Sequence, residues 1–320
     1  MGAKRLTHES HFLGGFMKMP VVRIIGAPTD LGANMRGANM GPSAIRIAQL
    51  HQKIRHLGYP VVDSGDLDVP VRDTLPDAAS ARKYLNQTVQ ICKDLEQLVY
   101  TSLTHCEIPI TIGGDHSLAV GSVSGSSRFF REKGQKMGLI WIDAHADLNT
   151  PTSSPTGNIH GMPLSVIIGA GHPELLQIGE SHVRVNPENI ALIGIRTLDG
   201  EEKNICRNSG IRYFTMREID EKGMHLVMKE ALEVVSQGTS GIHLSFDIDG
   251  VDPLYAPGVS TPATGGLSYR EAHLALEMLA DTKRLCSMDF VELNPMTDVS
   301  HKTAQLITEL VQSALGKSIV

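Results

Sequence analysis

The chain has few cysteines, no long apolar run and no concentrated block of basic residues, and each shortage removes a class of protein. Its four cysteines, Cys92, Cys106, Cys206 and Cys286, are dispersed and form no CxxC pair, which excludes the disulfide framework of a small secreted domain and a thiol-built zinc or iron–sulfur site. No stretch approaches the roughly 18 to 20 apolar residues that span a bilayer. The formal charge is −6 at pH 7 and Lys and Arg are thinly spread, so neither nucleic acid nor an anionic membrane surface is the expected partner. A secretory apolar segment is missing near the N-terminus, and a reducing cytoplasm is the expected location.

What is present suits a single large domain. The 320 residues are 41% hydrophobic, enough for a sizeable core, and no linker, low-complexity tract or internal repeat divides them. Met1 to Pro20 shows little periodicity and reads as a flexible extension ahead of a domain over residues 21–320.

Strand-type runs occur at Val21 to Gly26, Ile108 to Ile112, Leu139 to Ile142, Ile190 to Ile195, Ile242 to Phe246 and Met288 to Leu293. Helical spacing lies between several of them: Ile47, Leu50, Ile54 and Leu57, opened by Pro42-Ser43 and closed by Gly58, then Leu85, Val89, Cys92, Leu95 and Val99. Ser268-Tyr269-Arg270-Glu271 is a capping box ahead of Ala272, Leu276 and Leu279. Such alternation predicts an α/β fold with a parallel sheet covered by helices on both faces.

The chemistry concentrates where predicted strands end. Asp143-Ala-His145-Ala-Asp147 and Asp247-Ile-Asp249 each follow an apolar strand-like run. In extended chain, residues two apart point the same way, so five ligand-type side chains can converge. Buried Asp and His at strand ends more often cap helices or pair with Arg and Lys. Here, however, two such runs coincide with a third segment, Ile110 to His116, that offers another imidazole. Four neighbouring aspartates stay ionised together only if cations lie between them. Carboxylate and imidazole ligands suit Mn- or Mg-type ions, and two Mn-like ions balance the charge. In open α/β sheets ligands bind outside the carboxyl ends of strands, where all these residues fall.

Gly113-Gly114-Asp115-His116-Ser117, Asp143 to Asp147, Gly157-Asn158-Ile159-His160-Gly161 and Ser245 to Pro253 together closely resemble the arginase branch of the ureohydrolases, in family order and spacing, from about Val21 to the C-terminus. The resemblance implies a three-layer α/β/α fold around a mainly parallel sheet of about eight strands, and hydrolysis of L-arginine to L-ornithine and urea with two Mn2+ per subunit. It places His116, Asp143, Asp147 and Asp247 on one ion and His145, Asp143, Asp247 and Asp249 on the other, with Asp143 and Asp247 bridging. Asp147 would accept a hydrogen bond from the attacking water, Glu292 would fix the guanidinium, Thr261 would bring a hydroxyl to the bridging region, and His160 would shuttle a proton to the leaving amine. Asn149, Thr156 and Asn158 would hold the α-carboxylate, and Asp199 with Glu202 the α-amino group. Thr156 keeps the hydroxyl that the family usually carries on Ser. A homo-oligomer, trimer or hexamer, is implied as well.

Hydrolysis of agmatine or another guanidino compound is the sibling reading, and it would make no use of the α-carboxylate residues. A catalytically silent homologue would have lost metal ligands, yet all six are present. Phosphoester hydrolysis also uses dinuclear sites, but no phosphate-cradling Gly-rich loop with Lys or Arg accompanies these ligands. The other eleven histidines, including His51, His56, His243 and His273, read as surface or core residues.

Overall fold

A computed structural model describes residues 19–75 and 84–318; most of the predicted N-terminal extension therefore lies outside the described residues. Among the described residues there are eight strands: β1 Val22–Ala27, β2 Val61–Asp66, β3 Ile108–Gly113, β4 Lys136–Ile142, β5 Ile190–Ile195, β6 Arg212–Thr215, β7 Thr239–Asp247 and β8 Leu285–Val291. They form one sheet in the order β2-β1-β3-β8-β7-β4-β5-β6, and every pairing is parallel. The sheet is thus all-parallel, and the last strand of the chain sits between β3 and β7.

Side chains alternate between two helical layers because successive residues of a strand face opposite ways. Ile24, Ile112, Ile140, Phe246 and Phe290 pack with residues of the helices Leu50–His56, Met224–Ser236, Tyr269–Asp281 and Lys302–Ala314. Leu139, Trp141 and Leu192 pack on the opposite face with Ala119 and Val123, and Ile25 and Val291 with Leu95 and Val99. Both faces of the inner strands are buried, so these strands read as continuous apolar runs.

Both edge strands escape the pattern. β2, Val-Val-Asp-Ser-Gly-Asp, is largely exposed, and β6 has only four residues. The helix predicted across Ile47 to Leu57 is two helices, Gly41–Ile47 and Leu50–His56, broken where Gln49 takes a left-handed conformation at φ 66°. The break turns Ile47 outward, 69% exposed, while Ile45, Leu50 and Ile54 are fully buried. The last strand ends at Val291, two residues earlier than predicted, because Glu292 adopts φ 63°. The long helix Leu85–Thr104, the Gly58 stop with φ 90° and the capping box at Ser268 and Glu271 follow the predicted pattern.

Candidate functional site

The carboxyl ends of β3, β4, β7 and β8 meet in the middle of the sheet and deliver one group each. Gly113-Gly114 ends β3 and presents His116 on a short helical turn. A side chain at Gly114 would strike the backbone of Thr29, its Cβ falling 2.0 Å from the carbonyl oxygen, so glycine lets the Thr29–Gly32 loop pack beside the site. Asp143 and Asp247 close β4 and β7 and fold back on their own runs: Asp143 Oδ1 accepts from the His145 N–H at 2.7 Å, and Asp247 Oδ1 from the Asp249 N–H at 2.8 Å. Each aspartate thereby turns the chain so that the next ligand-type side chain faces inward. Asp147, with φ 52°, and Glu292 occupy left-handed backbone, a conformation costing roughly 1–3 kcal/mol that collects at functional sites.

The convergence is tight. His116 Nδ1 lies 3.2 Å from Asp143 Oδ2, 3.0 Å from Asp147 Oδ2 and 3.2 Å from Asp247 Oδ2. His145 Nδ1 lies 3.1 Å from Asp249 Oδ2 and 3.5 Å from Asp143 Oδ1. Among the described residues two groups have ligand atoms close enough to surround an ion, His116 with Asp143 and Asp247, and His145 with Asp143 and Asp249. Asp143 belongs to both; Asp247 joins the first alone.

These residues fit divalent cations. His116 Nδ1 is buried without a hydrogen-bond partner while three carboxylate oxygens face it. Arg196, whose guanidinium lies beside the cluster, donates to the main-chain carbonyls of Asp249, Gly250 and Ala263 rather than to the carboxylates. Burial together with Asp249 and Asp143 pushes the Asp247 carboxyl well above its usual range, and burial with Asp143 pushes Asp147 to about 6. Burial alone would lower His116, but the surrounding aspartates hold it well above its ordinary value. With no ion the cluster must take up protons to relieve its own repulsion, a task that cations perform in their place.

Above this floor opens a cleft of about 350 Å³, within the size range of small-molecule sites. Twelve of the fourteen residues singled out from the sequence line it: His116, His145, Asp147, Asn149, Thr156, Asn158, His160, Asp199, Glu202, Asp247, Asp249 and Thr261. Asp143 and Glu292 lie just behind the wall, 0% and 1% exposed. Thr261 Oγ1 donates to Asp249 Oδ2 at 2.8 Å. Glu292 Oε1 accepts from the backbone N–H of His116 at 2.9 Å and pairs with His160 Nδ1 at 2.9 Å, while its Oε2 is buried and unpartnered. Burial would depress His160, yet Glu292 outweighs it and raises the imidazole to about 9.

On the rim, Asn149 Nδ2 donates to Asp199 Oδ2 at 2.9 Å. Asp199 caps the helix Gly200–Asn208 by accepting from the Glu202 N–H, and Glu202 accepts from the Leu148 N–H at 3.1 Å. Burial first, then Asp147, pushes the Glu202 carboxyl to about 7.

Three participants were not singled out from sequence. Ser154 lines the cleft between Asn149 and Thr156; its hydroxyl in a Thr/Ser-rich loop carried no distinguishing signal. Trp141 stacks on His116 with ring centroids 4.1 Å apart and donates to Asp143 Oδ2 at 3.0 Å, and Ser245 Oγ meets His116 Nε2 at 2.9 Å. Both sit two residues before a ligand-type Asp, on the same strand face, a spacing that would have revealed them.

A family model described as the arginase family matches residues 21–316. The arginase of Bacillus caldovelox is 42% identical over 94% of this chain and 100% of its own length, and that of Brevibacillus brevis 44% identical over 93% and 98%. Among solved structures, the native arginase of Bacillus caldovelox superposes with a TM-score of 0.89, covering 94% of this chain and 100% of that one. An Entamoeba histolytica arginase in complex with L-ornithine gives 0.86 at 28% identity, with 94% and 100% covered.

Proposed function

The chain belongs to the arginase family, and on that premise we propose that it hydrolyses the guanidino group of L-arginine to give L-ornithine and urea, using two Mn2+ ions. The observation that carries the reading is the pairing of an acidic floor, where an unpartnered His116 Nδ1 faces three carboxylates, with a rim of amide, hydroxyl and carboxylate groups. The floor suits a guanidinium; the rim suits an amino acid's charged end.

His116, Asp143, Asp147 and Asp247 would hold one ion and His145, Asp143, Asp247 and Asp249 the other, Asp143 bridging by its membership of both groups. When bound, such a pair lowers the pKa of a water far enough for it to act as nucleophile near neutral to alkaline pH. Asp147 would accept a hydrogen bond from the attacking water. Glu292 spends Oε1 on His116 and His160 and keeps Oε2 to accept from a guanidinium N–H. Thr261 holds the Asp249 carboxylate in place. Collapse of the tetrahedral adduct requires a proton on the departing amine, and His160, held by Glu292 through Nδ1, delivers it from Nε2. Asn149, Thr156 and Asn158 receive the α-carboxylate, Asp199 and Glu202 the α-amino group.

The domain spans residues 21–320 behind an N-terminal extension. A homo-oligomer, trimer or hexamer, is supported by large apolar side chains left exposed on neighbouring loops, Leu254 at 69% and Met296 at 72%. Among the described residues no helix is long and apolar enough to cross a membrane, which agrees with a cytoplasmic site of action.

Urea release from arginine, agmatine and shorter guanidino compounds after Mn2+ loading tests the reading. Asn149→Ala should raise KM for arginine and leave agmatine turnover little changed. Undiminished arginine turnover in that variant, or a preference for agmatine in the parent, would remove the carboxylate assignment, and no urea from any substrate would sink the activity.

A further inference from the structure

Behind the site lies a polar network that the mechanism above does not use. Asp289 of β8 is fully buried. Its Oδ2 accepts from the Ser122 hydroxyl and pairs with His243 Nε2 at 3.2 Å, and His243 Nδ1 meets Ser287 Oγ at 2.7 Å and Ser126 Oγ at 3.1 Å. Ser245 stands directly opposite Asp289 in the β7–β8 register, and Asp289 Oδ1 is buried without a hydrogen-bond partner. Ser245 Oγ meets His116 Nε2, so one hydroxyl stands between this network and the candidate metal centre.

We propose that Asp289 is a positioning residue for that centre: acting through Ser245, it fixes the imidazole proton of His116 on Nε2 and leaves the Nδ1 lone pair for the ion. The inference rests on the metal-binding reading above. A neutral imidazole carries one proton, and Nδ1 can bind an ion only if that proton is on the other nitrogen. A serine hydroxyl can either receive the His116 proton or point its own at the ring. A carboxylate only accepts, so Asp289 draws the Ser245 proton to itself and turns the Ser245 lone pair toward His116 Nε2. His243 and Ser122 supply the donors that let the buried Asp289 remain charged. An amide at this position could donate to Ser245 instead, reversing the hydroxyl and sending the imidazole proton to Nδ1, among the aspartates.

The test is Mn2+ titration of the metal-free full-length protein, with the free aquo ion followed by electron paramagnetic resonance, beside thermal unfolding. Asp289→Asn should bind one Mn2+ per subunit as the parent does and the ion on the His116 side about 10- to 100-fold more weakly, the usual effect of losing an outer-shell partner. Ser245→Ala, which cuts the link but leaves the His243–Asp289 pair whole, should do the same and carries the test if Asp289→Asn does not fold. Ser287→Ala perturbs the network without touching the link and should bind both ions normally even where its melting temperature falls. Parental affinity in Asp289→Asn, or equal weakening in Ser287→Ala, overturns the positioning role while leaving the metal centre standing. A parent that takes up no Mn2+ overturns both.

Discussion

Two groups of histidine and aspartate lie close together, one at the carboxyl ends of β3, β4 and β7 and the other within β7 and β8, and their electrical characters are opposite. Around His116 and His145 four aspartates converge, negative charge outweighs positive, and a buried nitrogen has no hydrogen-bond partner. Around Asp289 there is one histidine and a ring of serine hydroxyls. Burial works against the Asp289 charge, yet His243 and the hydroxyls outweigh it and keep its carboxyl below the usual range, whereas Asp247 is driven well above it. The same residue types on the same sheet thus serve two ends: matched in number they balance one another's charge inside the fold, and in acidic excess they call for an external cation.

The largest expected break in this contrast is Asp247→Asn. It should lower the Mn2+ content below two per subunit and remove urea release with it, as metal analysis and a urea assay would show. In chelator the same variant should be more stable than the parent. A carboxyl whose folded pKa is raised destabilises the fold as pH climbs from about 4, where the unfolded aspartate ionises, toward the folded value. Chemical denaturation of the ion-free proteins across that range should show a falling curve in the parent and a flatter one in the variant; identical curves would mean that the cluster is not electrostatically strained.

His160→Ala separates proton delivery from ion holding. It should keep both ions and slow turnover by about 10²- to 10⁴-fold, and full turnover would remove His160 from the chemistry. The smallest effect belongs to a third buried histidine, His273, whose Nδ1 meets Ser313 Oγ at 2.8 Å and whose ring lies 4.3 Å from that of Tyr269. Burial lowers its pKa, with Glu309 and Glu277 only partly opposing. Its neutral form stabilises the fold fully above the unfolded value of about 6.5, and that contribution is lost as pH falls below it. Unfolding free energies at about pH 7 and pH 5 should therefore drop less in His273→Gln than in the parent.

The chemistry was more legible than the edges of the fold. Ligands two apart at the ends of apolar runs announce themselves, because strand periodicity and charge point to the same place. β2 and β6 do not, since an exposed edge needs no apolar pattern and a four-residue strand has no room for one. The left-handed residues Gln49 and Glu292 were equally silent, because neither is a glycine and nothing in the neighbouring sequence announces a positive φ. His243 fell among the histidines read as surface or core residues, and its pairing with Asp289 depends on strand register, which spacing within one strand does not reveal.

The position of β8 sets a condition on biosynthesis. Until residue 291 has left the ribosome, a nascent chain can assemble only two half-sheets, β2-β1-β3 and β7-β4-β5-β6, each with a naked edge where β8 belongs. At about 5 to 20 residues per second the β3 edge waits on the order of ten seconds or more for its neighbour. Such unpaired edges template aggregation, so the interval before β8 emerges is the exposed stage of this architecture. Glu292 follows directly on the strand that closes the gap, so a chain that stops short of it lacks both the closed sheet and this carboxylate.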